Sequence, residues 1–73
     1  MQQYTMRGYV VRDKHEGDFS DLYFIDVCPR YDPICEAWHG FGEFIALPKD
    51  WFPELKYADK PIAVELSIKR IEL

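Results

Sequence analysis

The sequence predicts an all-β, mainly antiparallel fold: a small curled sheet of four to five strands, or a half-barrel, with one short helical or 3₁₀ segment around residues 49–57. Four stretches alternate apolar and polar residues, the period of two that a pleated strand imposes. No helical period of apolar residues survives for three turns, and the breaks between stretches are short and marked by Gly, Pro and Asp. The last stretch is the clearest. Ile62, Val64, Leu66 and Ile68 share one parity, and Ala63, Glu65, Ser67 and Lys69 share the other.

The first strand is expected from about Tyr4 to Arg12, with Gly8 marking a bulge or a close crossing of another segment. Residues 13–18, with Gly17 at their most flexible point, form a polar turn. The second strand runs from about Asp21 to Cys28. Asp26 assigns Leu22, Phe24 and Cys28 to a wet face, which leaves Tyr23, Ile25 and Val27 pointing inward. Pro29 and Pro33 make residues 29–33 a loop. The third strand is expected from Glu36 to Leu47, curved at Gly40 and Gly42. In residues 48–57 Pro53 limits any helix to one or two turns, from which Trp51, Phe52 and Leu55 cap the core. After Ile68 the apolar parity slips to Ile71, which suggests a bulge near Lys69 or a change of pairing. Four strands with short turns before the last one resemble SH3-like and OB-like barrels in architecture, although none of the signature residues of those families stands here. The resemblance implies closure of the sheet and nothing about activity.

With 73 residues the chain reads as a single domain over 1–73. Domains this small bury only about 60% of their unfolded surface, so the stability margin is thin, roughly 3–5 kcal/mol. Five Phe, five Tyr and two Trp exceed what one small core can enclose, so some rings must lie at a surface. The net charge of −4 argues against nonspecific nucleic-acid binding and favours a basic partner. Neither a signal peptide nor a membrane-spanning run is visible. Cys28 and Cys35 are read as reduced thiols in a cytoplasmic protein.

Chemistry is sparse. Cys28, Cys35 and His39, with His15 as a possible fourth donor, lack the close cysteine pair of a structural zinc site, so no metal is expected. A Cys28–Cys35 disulfide is feasible across a hairpin but disfavoured by the compartment. Asp13, Glu16, Asp18 and Asp21 do not follow a calcium-loop spacing and read as a solvated acidic face. Pairing Cys35 with His39, or Cys28 with His15, supplies a nucleophile and base but no orienting group or oxyanion donors, so an enzyme is not expected. Trp38, His39 and Phe41, near Trp51 and Phe52, are the candidate aromatic groove.

These residues point to a small acidic binding protein, an accessory factor or inhibitor of the kind phages and mobile elements carry. It is expected to act on a protein partner with a basic surface and to form a homodimer, with no cofactor and no membrane. Trp38, Phe41 and Trp51 are its expected anchors, and Asp13, Glu16, Asp18 and Asp21 its steering charges. Two alternatives are a planar or nucleotide-like ligand held in the groove and, further off, a single-stranded nucleic acid stacked on a β-barrel.

Overall fold

The computed structural model describes residues 3–14 and 20–72. The turn expected at 13–18 therefore lies largely outside the described residues, and with it Glu16, Asp18 and His15. Six strands follow in order: β1 (Gln3–Lys14), β2 (Ser20–Ile25), β3 (Arg30–Asp32), β4 (Ala37–His39), β5 (Phe44–Leu47) and β6 (Ile62–Lys69). Four of them form an antiparallel sheet in the order β5-β2-β1-β6, and β3 pairs with β4 in a separate two-stranded sheet. The all-β antiparallel class is as the alternation predicts. Among the described residues there is no helix, and the main sheet does not close into a barrel.

Both faces of the middle of the sheet are covered, which explains the neighbouring apolar pairs Val10–Val11 and Phe24–Ile25. Val10 and Leu22 pack on one face with Leu55, joined by Leu47, Phe52, Ile62 and Val64. Val11 and Ile25 pack on the other with Trp38, flanked by Tyr23 and Tyr31. Leu22 and Phe24 are thus fully buried and not on a wet face, while Val27, expected inward, is exposed. The parity of Asp26 misled because β2 is sandwiched. Strand β6, at the sheet edge with one covered face, keeps the alternation intact over Ile62–Leu66.

The stretch expected as one strand over 36–47 is two strands in different sheets, with the chain crossing at Gly40–Glu43. Gly42 makes the crossing possible: its φ is 150°, and a Cβ there would run into the Asp26 carboxylate. The expected loop at 29–33 contains β3, because three residues between the prolines suffice to pair with residues 37–39. The pairing of β1 with β6 runs unbroken from Val10↔Ile62 to Gln3↔Lys69, so the parity slip marks the end of the strand and no bulge. Gly8 marks a close crossing. A Cβ there would meet the Ile25 carbonyl and come within 2.6 Å of the Phe24 ring.

The lid over the first face, residues 48–57, is not helical. Isolated turns shape it, with Trp51 N–H donating to the Pro48 carbonyl at 3.1 Å and Leu55 N–H to the Phe52 carbonyl at 2.9 Å. Pro53 and the left-handed Phe52 (φ 52°) prevent continuation. What holds the lid is Arg12, a residue of β1 only 7% exposed. Its Nε donates to the Leu55 carbonyl at 2.6 Å. Nη1 reaches the Lys49 carbonyl at 3.0 Å and Ser20 at 3.4 Å, and Nη2 reaches Trp51 at 2.8 Å and Phe52 at 3.2 Å. A planar guanidinium with five donors suits a ring of carbonyls that no regular structure pairs.

Beyond the lid, Gln3–Gly8 of β1 pair only with Val64–Lys69 of β6, forming a two-stranded arm. Tyr4, Met6, Leu66 and Ile68 share one face of that arm, and the described chain is accordingly long, 44 × 24 × 18 Å.

Candidate functional site

The expected aromatic cluster is divided between the two faces of the sheet. Trp38 is 8% exposed and packs with Val11 and Ile25. Its ring lies 5.1 Å from that of Tyr31, its partner across β3–β4. Trp51 and Phe52 belong to the lid on the opposite face, where Phe52 packs into the core and Trp51 is 49% exposed. His39 and Phe41 do come together. With Val27, Cys28, Arg30 and Gly40 they line an open groove of about 500 Å³ where the small sheet meets the β2 end of the large one.

Phe41 stands out in this groove because it is 91% exposed. The loop that presents it is tied down. Glu43 N–H donates to Asp26 Oδ1 at 2.9 Å, and Gly42 supplies the backbone conformation that brings the two together. A bulky ring in water on a braced loop resembles an interface anchor before its partner arrives.

Of the four expected steering carboxylates, the two that are described, Asp13 and Asp21, have partners within the fold. Asp13 Oδ1 accepts the Trp38 N–H at 2.7 Å, which docks β4 onto β1. Burial pushes the Asp13 carboxyl above its ordinary pKa, with the Trp38 N–H pulling the other way. Asp21 lies directly opposite Asp13 across β1–β2, sits 3.4 Å from Lys49 Nζ and accepts a hydrogen bond from the Tyr23 hydroxyl at 3.3 Å. Asp13 thus fastens β4 to β1, and Asp21 ties β2 to the lid through Lys49.

Asp32, a residue with no motif to mark it in the sequence, joins Cys35 and His39 on the outer side of the β3–β4 hairpin. Arg30 faces His39 across the ladder, so Asp32, two residues on, is the diagonal neighbour of His39 on the same side. The tip, residues 33–36, folds back over that side, with Glu36 in the left-handed region at φ 52°. Asp32 Oδ1 accepts the Ile34 N–H at 2.9 Å. Cys35 Sγ lies 3.1 Å from His39 Nε2, and Asp32 Oδ2 lies 3.9 Å from the same nitrogen. The Ile34 N–H and the Cys35 thiol hold the Asp32 carboxyl below its ordinary pKa. Desolvation and the neighbouring Asp32 push the Cys35 thiol up. A Cys–His nucleophile needs its orienting carboxylate on the other ring nitrogen, and here both groups meet the same one.

Cys28 and Cys35 are both free and exposed, so no disulfide joins them. No helix among the described residues is long and apolar enough to cross a membrane. Comparison with protein-family models, with curated proteins and with solved structures finds no match to this chain, so its own residues carry the functional reading.

Proposed function

We propose that this chain is a small acidic binding protein that works by occupying the surface of a partner protein, as an accessory factor or inhibitor, without chemistry of its own. The observation that carries this reading is Phe41, a large ring left almost wholly in water by a loop braced through Asp26 and Gly42. The partner presents a pocket for that ring within a basic surface, to match the net charge of −4. Matched cations support a protein partner over nucleic acid: Arg7 sits by Glu65, Lys14 by Glu36 and Lys49 by Asp21, while Arg12 is buried under the lid. Two exposed free thiols are compatible with a reducing compartment such as the cytosol.

The test is differential capture from the native host with immobilised wild-type and Phe41→Ala proteins, at low and at high salt. A protein retained by the wild type, lost with Phe41→Ala and weakened by salt supports the reading. Identical capture by two equally folded baits refutes it.

Self-association belongs to the same proposal. The arm leaves Tyr4, Met6, Leu66 and Ile68 on one face, and a second copy would cover this apolar stripe. Sedimentation should then show a dimer that Leu66→Glu dissociates. A monomer at every concentration would remove this part. The groove of about 500 Å³ favours a second reading, a planar anionic ligand held between Phe41, Arg30 and His39. A nucleotide that raises the unfolding midpoint of wild-type protein but not of Phe41→Ala would favour it.

A further inference from the structure

The geometry points to a divalent metal site of the zinc class on the outer face of the β3–β4 hairpin, formed by Asp32, Cys35 and His39. One ligating atom from each, a carboxylate oxygen, a sulfur and an imidazole nitrogen, lies within 4.8 Å of the other two. A tetrahedral zinc with its usual bond lengths of about 2.0–2.3 Å sets its ligand atoms roughly 3.3–3.6 Å apart. The sulfur–nitrogen separation of 3.1 Å and the nitrogen–oxygen separation of 3.9 Å straddle that value, and sulfur and oxygen lie within 4.8 Å of each other, so side-chain shifts of about an ångström or less close the site.

Convergence is the argument. Sulfur and carboxylate oxygen approach the same ring nitrogen, an arrangement that leaves the other nitrogen without an orienting carboxylate but places three donors around one point. The donor set selects the ion: thiolate and imidazole suit zinc and related borderline metals, whereas calcium and magnesium take oxygen. The hairpin supplies the frame, because the β3–β4 ladder fixes Asp32 and His39 and the tip carries Cys35 over them. Cys35 binds as a thiolate, and its proton passes to solvent on metal entry. Three protein ligands on an exposed surface leave a fourth position to water, which a donor from a partner protein can replace. The site shares His39 with the Phe41 groove but does not depend on the binding function proposed above.

The test is titration of the full, reduced chain with Co²⁺ alone, followed by displacement with Zn²⁺. One equivalent should produce a near-ultraviolet sulfur-to-cobalt charge-transfer band and visible bands of four-coordinate intensity, both abolished by Zn²⁺. Cys35→Ser should lose the charge-transfer band. His39→Ala should weaken binding by more than about 100-fold, beyond the 10–100-fold typical of a supporting residue outside the ligand set. Cys28→Ser should bind as the wild type does. All three positions are exposed, so circular dichroism should show each variant folded. The assignment is overturned if the wild type gives no charge-transfer band, if Cys35→Ser keeps it, or if Cys28→Ser alone abolishes it.

Discussion

Replacing Arg12 should release the lid and unfold much of the protein. The single small core of a 73-residue chain supplies roughly 3–5 kcal/mol, the lower part of the range expected from the usual 0.05–0.15 kcal/mol per residue. The Arg12 guanidinium makes three bonds of 3.0 Å or less, to the carbonyls of Leu55, Trp51 and Lys49, and two longer ones to Phe52 and Ser20. Hydrogen bonds from a charged donor contribute about 1.5–3 kcal/mol each. Desolvation of the buried cation opposes them by several kcal/mol, so the net loss on truncation is about 3–5 kcal/mol. Arg12→Met should lose that amount, because Met fills the space but removes the donor that the Leu55, Trp51 and Lys49 carbonyls share. Arg12→Lys should lose less, about 1.5–3 kcal/mol, since an ammonium offers three donors to five acceptors. Guanidinium chloride unfolding followed by tryptophan fluorescence measures both, with Arg7→Met as a control whose exposed pair with Glu65 contributes little. Hydrogen exchange should quicken first at the Trp51 and Leu55 amides, which close the lid turns. If Arg12→Met loses less than about 1 kcal/mol, the lid does not depend on this residue and the reasoning fails.

Gly8→Ala should destabilise by about 1–3 kcal/mol, because the Ile25 carbonyl and the Phe24 ring occupy the place of the new methyl group. At about 4–8 °C per kcal/mol for a domain of this size, the fall in Tm should be plain, and an unchanged Tm would refute the close crossing. Trp38→Ala should cost about 3–5 kcal/mol by emptying the space between Val11 and Ile25, which denaturant titration would register. Asp13→Asn should stabilise the protein at neutral pH, since an amide oxygen still accepts the Trp38 N–H while the charge facing Asp21 is gone. The sign follows from burial, which raises the folded-state pKa of Asp13. The stability linked to its protonation is complete below the ordinary carboxylate range and is lost as pH rises through the raised value. Thermal melts of both proteins across that range should therefore converge in acid, and a variant less stable than wild type at neutral pH would contradict this.

The strand class, the antiparallel sense of pairing and the excess of rings were legible in the residues, and the strand order β5-β2-β1-β6 was not. Period-two alternation over Ile62–Leu66 is a local property, and an edge strand with one covered face displays it plainly. Strand β2 shows the limit of such reading. Leu22-Tyr23-Phe24-Ile25 is nearly continuous in apolar character because the lid lies on one face and Trp38 on the other, and one Asp at its end could not reveal that. The candidate site divides in the same way. His39 and Phe41, neighbours in sequence, share a groove, whereas Trp38 and Trp51 fall on opposite faces of the sheet.

By composition and pattern, the chain specified strands, turns, a negative charge and more aromatic surface than a small core encloses. These depend on neighbours a few residues apart and need no knowledge of the whole. The tertiary structure decided which rings stay in water, that Arg12 gathers carbonyls up to 43 residues away, and that Asp32 meets Cys35 and His39. Such outcomes depend on how one layer lies on another. Cross-layer contact is set by packing over the entire chain, and no short window of sequence contains it.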